Sequence, residues 1–108
     1  MRSIFVEARQ WHDRTYGNSY YSAQVFIDGE HVYSTGTRYG YEHQYEHDIS
    51  RDLANMGLLP GDTDNVRRYC RDNGIDFYSV RYDAKKRELF PRHVRNVDVP
   101  EYADGLRG

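Results

Sequence analysis

The longest segment with a helical period is residues 41–59, YEHQYEHDISRDLANMGLL. On a wheel of about 100° per residue, its apolar side chains share one stripe. Gly57 follows, and glycine is the residue type that most often ends a helix. We therefore predict a helix over 41–56 that covers a sheet built by the preceding strands. The stripe consists of Tyr41, Tyr45, Ile49, Leu53 and Met56.

Two strand patterns precede this helix. Residues 2–11, RSIFVEARQW, and residues 19–27 alternate with period two, which predicts half-buried strands separated by a polar loop over 12–18. Asp28-Gly29 then predicts a two-residue type I′ hairpin, and such a turn sets the pairing register. We predict the pairs Ile27–Glu30, Phe26–His31, Val25–Val32, Gln24–Tyr33 and Ala23–Ser34.

The predicted register gives the sheet two different faces. One face is apolar and should lie under the helix. The opposite face is aromatic and polar, and the sequence shows no apolar layer to cover it. That second face consists of Tyr20, Ser22, Gln24, Phe26, His31 and Tyr33.

The C-terminal half has a weaker pattern. We predict a short helix over 63–73, a strand over 75–83, a basic turn over 84–87 and a hairpin partner beginning at Glu88. Pro91 interrupts that partner, an edge strand spans 92–99, and the tail over 100–108 is frayed. The predicted fold is one α+β domain over 1–108. It is an antiparallel β-meander covered by one main α-helix, plus a short second helix and a C-terminal strand or hairpin.

Composition limits the class of protein. The chain has 108 residues, a net charge of −2 and 11 Tyr, which favours a small core that uses tyrosine rings. The charge argues against a strongly cationic, non-specific DNA binder. The single cysteine, Cys70, is expected to be buried and inert, and one cysteine fits a reducing cytoplasm. No apolar run reaches the about 18 residues of a membrane span, and no signal peptide is visible. We expect a cytoplasmic protein with no membrane partner.

One short pattern suggests a metal site. His43-x-x-Glu46-His47 matches H-x-x-E-H, in which two histidines reach one metal and the glutamate acts as general base. A third ligand would be needed, and nothing in the sequence places His12, His31 or His93 nearby. Both helix histidines should face solvent, so the sequence favours a hydrated surface. We predict no metal, no cofactor and no catalytic residues, with His43 and His47 as weak metal candidates.

Tyrosine and arginine suggest a partner surface, since both are enriched at interface hot spots. An open aromatic sheet face suits a partner protein or a homodimer, although the tyrosines could instead complete the small core. The second hypothesis is a nucleic-acid site, in which Arg67, Arg68, Arg71 and the 85–87 run hold phosphates while tyrosines stack on bases. The candidate partner-binding residues are Tyr16, Tyr20, Tyr33, Tyr39, Arg67, Arg68 and Arg71.

Three patterns in the first half of the chain carry a resemblance. They are Tyr16-Gly17-Asn18-x-Tyr20-x-Ser22, Asp28-Gly29 and Tyr39-Gly40-Tyr41-x-x-x-Tyr45. In them the chain resembles small uncharacterised proteins encoded by bacteriophages and prophages. The resemblance implies no established activity and no catalytic residues. It implies an accessory protein in the host cytoplasm that binds a host protein or complex. The hypothesis is a non-enzymatic inhibitor of a host defence complex, such as a CRISPR effector.

Overall fold

A computed structural model of the chain describes residues 1–40, 43–89 and the backbone of 94–95. The fold is α+β, as predicted, with two helices and a mixed sheet. The predicted break at Pro91 and the predicted frayed tail over 100–108 lie outside the described residues. The strands are β1 (Ser3–Asp13), β2 (Asn18–Ile27), β3 (Glu30–Ser34), β4 (Arg38–Tyr39), β5 (Asp76–Asp83) and β6 (Val94–Arg95). The helices are α1 (Gln44–Asn55) and α2 (Val66–Asp72), and Lys86–Glu88 forms a short 3₁₀ turn.

The strand order is β5-β1-β2-β3-β6, and β4 pairs with β2. The antiparallel meander β1-β2-β3 is confirmed. The strand β5 pairs parallel to β1, from Ser3↔Asp76 to Gln10↔Asp83. A parallel pair needs a long crossover connection, and here α1 and α2 provide it. The C-terminal element is a strand, β6, which pairs with β3. The predicted hairpin partner from Glu88 is wrong, because that residue ends the 3₁₀ turn.

The apolar stripe of the main helix is confirmed. Tyr45, Ile49 and Leu53 are buried against the sheet, and the positive φ of Gly57 follows the end of α1. The helix begins at Gln44, three positions after the predicted start at Tyr41, which lies outside the described residues. The core that the stripe covers comprises Ile4, Val6, Ala8, Tyr21, Ala23, Val25 and Ile27 from β1 and β2.

The second helix begins three residues later than predicted. Asn65 is its N-cap and accepts a 3.0 Å hydrogen bond from Arg68 N. The next backbone amide, Val66 N, donates to Ser50 Oγ of α1 at 2.8 Å. This contact between the helices locates the start of α2, so the local pattern at 63–64 is a poor guide. Cys70 is fully buried on the core side of α2, as predicted, and burial raises the pKa of its thiol to about 11.

The first connection is shorter than predicted. Paired residues extend to Asp13↔Asn18, so the polar loop is a four-residue turn over 14–17. The carboxylate of Asp13 accepts hydrogen bonds from Thr15 N and Tyr16 N, at 2.9 and 3.3 Å. These bonds hold the turn and leave the Tyr16 ring 78% exposed.

The predicted register of β2 and β3 is correct only next to the turn. Asp28 and Gly29 have the positive φ values of a type I′ turn, and Phe26↔His31 is confirmed. A β-bulge then inserts Val32, so that Val25 pairs with Tyr33, and the three predicted pairs further from the turn are wrong. The extra residue turns the Tyr33 ring towards the helices. Tyr33 is 0% exposed, so its predicted place on the open face is wrong.

Candidate functional site

The face of the sheet away from α1 carries a row of aromatic rings. Trp11 pairs with Tyr20 and Tyr20 pairs with Tyr39, so the three side chains lie side by side across β1, β2 and β4. The Trp11 and Tyr20 rings stack with centroids 5.7 Å apart and an interplanar angle of 22°. Tyr39 meets Tyr20 edge-on at 5.8 Å and is 69% exposed. We call Trp11, Tyr20 and Tyr39 the aromatic ladder.

Residues 84–89 lie over part of this open face. Ala84 N donates to Gln10 O at 2.7 Å, and Arg9 Nη1 donates to Glu88 O at 3.0 Å. Leu89 is 7% exposed, and Ser22 on β2 is fully buried although it faces away from the helices. These residues therefore cover part of the face for which the sequence shows no apolar layer. The segment separates the aromatic ladder from the rest of the open face.

A groove of about 980 Å³ lies between the ladder and this segment. The Lys86 ammonium lies 5.5 Å from the centroid of the Trp11 ring, within the range of a cation–π contact. Stacked rings and a run of exposed cations therefore meet in one place. We call it the basic groove. Its lining residues are Trp11, Asp13, Tyr20, Thr37, Lys85, Lys86, Arg87 and Leu89.

On the other side of the segment, β5 presents an exposed apolar row. Tyr78, Val80 and Tyr82 alternate along the strand and are 62%, 46% and 43% exposed. We call these three residues the edge row. The Tyr82 hydroxyl accepts from Arg9 Nε at 2.9 Å and donates to Glu7 Oε1 at 3.1 Å. These bonds hold the Tyr82 ring against β1 and leave one side of it in solvent.

The outer edge of β5 is unpaired in the part of the chain that the structure describes. Asp76 N donates to Arg2 O and Ala84 N donates to Gln10 O, at the two ends of the parallel ladder. Since amides alternate along a strand, those of Phe77, Ser79 and Arg81 point away from β1. The same strand therefore carries the edge row and a row of amides that point away from β1.

The candidate partner-binding residues do not form one surface. Tyr20 and Tyr39 lie on the face of the sheet away from α1, and Tyr16 lies in the turn between β1 and β2. Tyr33 is in the core. Arg67, Arg68 and Arg71 lie on α2, on the opposite side of the sheet. The binding role of these arginines stays a prediction, and Tyr20 and Tyr39 lie on the other face of the sheet. The edge row was not among the predicted site residues, although its period-two alternation is visible in the sequence.

The arginines of α2 already have acidic neighbours. Arg67 Nε and Nη2 donate to the carboxylate of Glu46 at 3.2 and 3.0 Å, and its guanidinium lies 5.0 Å from the Phe77 centroid. Arg68 and Arg71 lie 3.9 and 3.5 Å from the carboxylate of Asp72. Arg67 is therefore paired with Glu46, whereas Arg68 and Arg71 share the single exposed carboxylate of Asp72.

The histidines of the H-x-x-E-H pattern face solvent, as predicted. His43 Nδ1 lies 3.8 Å from Glu46 Oε2, and Arg67 holds the same carboxylate. A glutamate in a bidentate pair with arginine is a poor general base. Within residues 1–40 and 43–89, no group of three potential metal ligands converges.

A part-buried polar network joins the sheet to α1. Arg38 donates to both oxygens of Asp52, at 2.8 and 3.3 Å, and the Tyr33 hydroxyl donates to the same carboxylate at 3.1 Å. The Tyr21 hydroxyl donates to Asp48 Oδ2 at 2.6 Å. Burial raises the pKa of Tyr21 and of Tyr33 above the usual tyrosine value, with the neighbouring carboxylates acting in the same direction. Both phenols therefore stay protonated, which suits a structural role.

Two serine–histidine hydrogen bonds occur in the sheet. His12 Nδ1 lies 2.9 Å from Ser19 Oγ, and His31 Nε2 lies 2.8 Å from Ser34 Oγ. Ser19 and Ser34 are 5% and 7% exposed, so neither hydroxyl is open to a substrate. Burial also lowers the pKa of His31.

Comparison with known protein families, curated proteins and solved structures finds no match for this chain. Among the described residues, no helix is long and apolar enough to cross a bilayer. The fold and its open face define an α+β domain with two separate surface features, the basic groove and the edge row.

Proposed function

We propose that this protein is a non-enzymatic binding module whose partner is another protein that adds an extended strand to β5. The observation that carries the proposal is the edge row. Exposed edge strands are normally shortened, charged or covered, because they pair readily with other chains. Three large apolar side chains on such an edge are typical of a surface that a partner covers.

The backbone of β5 offers the hydrogen bonds for this pairing. The outward amides of Phe77, Ser79 and Arg81 can donate to carbonyl groups of an added strand. Alternate side chains of that strand would lie beside Tyr78, Val80 and Tyr82, as in other cases of strand addition. Main-chain bonds would supply affinity, and the edge row would select a partner with apolar residues at alternate positions.

The resemblance to phage-encoded proteins supports a bacterial host protein as the partner, including a component of a defence complex such as a CRISPR effector. Tyrosines in the edge row support it as well, because tyrosine adds rigid apolar area and a polar hydroxyl at interface hot spots. The exposed rings of Tyr16 and Tyr39 lie at the other end of the open face and are not needed for strand addition.

A proline substitution at one position of β5 tests the proposal. Arg81→Pro removes an amide that points away from β1, so the β1–β5 ladder keeps its bonds while an added strand loses one. Arg81→Ala is the matched control, because it removes the same side chain and keeps the amide. Tagged forms of both variants and of the natural sequence would capture proteins from a nuclease-treated bacterial lysate. We expect one stoichiometric protein with the natural sequence and with Arg81→Ala, and its loss with Arg81→Pro.

Retention of that protein by a folded Arg81→Pro variant would contradict strand addition. Absence of any captured protein would contradict a foreign protein partner. Sedimentation velocity of the purified chain covers the case in which the partner is a second copy. A dimer that Arg81→Pro dissociates and Arg81→Ala preserves would show that two β5 strands pair, and the foreign partner would then be wrong.

A further inference from the structure

The basic groove has the two features by which proteins bind nucleotides without reading their sequence. These features are aromatic rings on which bases stack and cations that follow the phosphates. The groove lies across the 84–89 segment from the edge row. It therefore carries an inference separate from strand addition at β5.

The aromatic ladder gives the groove a stacking surface. Trp11 and Tyr20 stack on each other with an interplanar angle of 22°, and the Lys86 ammonium lies 5.5 Å from the Trp11 centroid. Tyr39 extends the same row at an angle of 84° and is 69% exposed. Aromatic rings on adjacent strands offer a flat surface to a base, and every base has a π-face that can use it.

The cations of the groove have no acidic partner in the described part of the chain. Lys85, Lys86 and Arg87 are exposed and consecutive, and no described carboxylate forms an ion pair with them. The neighbouring Glu88 carboxylate accepts from the backbone amide of Lys85 at 2.8 Å. Asp13 is the one carboxylate among the lining residues that the structure describes, and it accepts the turn amides of Thr15 and Tyr16. The groove therefore has an excess of positive charge.

Three other arginines of the chain contrast with these cations. Arg9 bonds to Glu7 and Tyr82, Arg38 bonds to Asp52, and Arg67 bonds to Glu46. The charges of these three arginines are paired with carboxylates of the same chain. In a chain with a net charge of −2, three adjacent cations that have no acidic partner among the described residues attract an anionic ligand locally rather than nucleic acid in general.

We infer that the basic groove binds a nucleotide, with its base stacked on Trp11 and Tyr20 and its phosphate held by Lys85 and Arg87. The volume of about 980 Å³ is at the upper end of the usual range for ligand pockets. It admits either a free mononucleotide or a nucleotide within a single strand. A free mononucleotide and a single strand both present a flat base attached to a phosphate. Titration with each of them distinguishes the two ligands.

Trp11 is the only tryptophan of the chain, so its fluorescence reports directly on the groove. The intact protein would be titrated with thymidine 5′-monophosphate and with a short oligothymidylate at low salt. We expect a stacked base to quench Trp11. Quenching by the oligonucleotide alone would assign a single strand, and equally tight quenching by the monophosphate would assign a free nucleotide. Failure of both probes to quench would overturn the inference.

A matched pair of variants tests the cations. Lys85→Gln with Arg87→Gln removes two charges at the groove, and Arg68→Gln with Arg71→Gln removes two on α2. We expect the groove variant to bind oligothymidylate about tenfold more weakly than the natural sequence at low salt, and the α2 variant to stay within about twofold. The slope of log affinity against log salt should flatten by about 1.4 for the groove variant, since each phosphate contact contributes about 0.7 for single strands.

Three results would contradict the nucleotide assignment. One is equal weakening by the groove and α2 variants, both shown to be folded by circular dichroism. Another is quenching that is unchanged in the groove variant. The third is displacement of oligothymidylate by polyglutamate as effectively as by unlabelled oligothymidylate. That result would show that the groove selects negative charge without a base, as an acidic protein segment would require.

Discussion

The Tyr33 hydroxyl donates a 3.1 Å hydrogen bond to Asp52 Oδ2, which ties β3 to α1 inside the core. The bond exists because the bulge at Val32 turns the Tyr33 ring to the helix side of the sheet. Arg38 occupies both oxygens of the same carboxylate, so the charge of Asp52 is balanced where it is half-buried. One inserted residue thus converts a candidate surface tyrosine into part of a structural network.

The first prediction compares Tyr33 with Tyr39. Tyr33→Ala should lower the free energy of unfolding by about 3–5 kcal/mol, because it leaves a cavity where a fully buried ring was. Tyr33→Phe keeps the ring and should cost about 1 kcal/mol for the lost hydrogen bond. Tyr39→Ala removes a ring that is 69% exposed and should change stability by less than about 0.5 kcal/mol. Urea unfolding measures all three. A smaller loss for Tyr33→Ala than for Tyr39→Ala would contradict the bulged register.

The second prediction concerns Gly40, whose position next to Tyr21 is not apparent from the sequence. A Cβ at Gly40 would lie 2.9 Å from two ring carbons of Tyr21 and 3.2 Å from Gln44 Cγ. The Tyr21 ring has little freedom to move, because its hydroxyl is bonded to Asp48. Gly40→Ala should therefore destabilise the fold by about 1–3 kcal/mol in urea unfolding. A neutral result would mean that the contact between β4 and β2 is looser than described.

The third prediction compares two glycines at which an added Cβ would have no atom within 4 Å. Gly29 has φ +82 in the type I′ turn, whereas Gly61 has no positive φ. Gly29→Ala should lower stability by about 1–2 kcal/mol, the cost of a left-handed backbone for an L-residue. Gly61→Ala should stay within about 0.5 kcal/mol of the natural sequence. Thermal and urea unfolding measure both variants. Equal destabilisation by Gly29→Ala and Gly61→Ala would argue against the type I′ turn.

The parts of the fold that the sequence predicts are those governed by local patterns. Alternation locates β1 and β2, Asp28-Gly29 locates the hairpin, and the helical stripe locates α1. The bulge is not predictable in this way, because Val32 and Tyr33 are both apolar and either could face the core. The sequence alone does not show which of them is the extra residue.

The candidate site is less predictable because tertiary structure creates it. The alternation of Tyr78, Val80 and Tyr82 is visible in the sequence, but the position of β5 at the edge depends on the crossover through α1 and α2. The basic run at 85–87 is equally visible. Its place beside Trp11 depends on the path of residues 84–89 over the open face. Sequence reasoning grouped this run with Arg67, whose partner Glu46 lies on another helix.

The fourth prediction concerns zinc. Glu46 is held by two nitrogens of Arg67, and three potential ligands do not converge in the described part of the chain. We therefore expect no stoichiometric Zn²⁺ binding by untagged protein in a calorimetric titration. The double variant His43→Ala with His47→Ala should retain the stability of the natural sequence within about 0.5 kcal/mol, because both side chains face solvent. Tight binding of one equivalent that this variant abolishes would restore the metal site.

The last prediction is the alkaline limit of stability. Burial raises the pKa of Cys70 from 9.0 to about 11, and it also raises the pKa values of Tyr21, Tyr33 and Tyr45. Each of these groups loses its proton more readily in the unfolded chain than in the folded one. The unfolded state therefore binds fewer protons at high pH, and the free energy of unfolding decreases as pH rises. The contribution of Cys70 to the free energy of unfolding should be fully present below pH 9. It should be lost as pH rises from 9 to about 11.

Urea unfolding at several pH values measures this decrease, and the reactivity of Cys70 gives an independent check. A thiol that is fully buried, with its pKa raised to about 11, should not react with a disulfide reagent at mildly alkaline pH until urea unfolds the chain. The appearance of reactivity should then coincide with the unfolding transition. A thiol that reacts in the native protein at the rate of the unfolded chain, or stability that increases above pH 9, would show that α2 does not cover Cys70 as described.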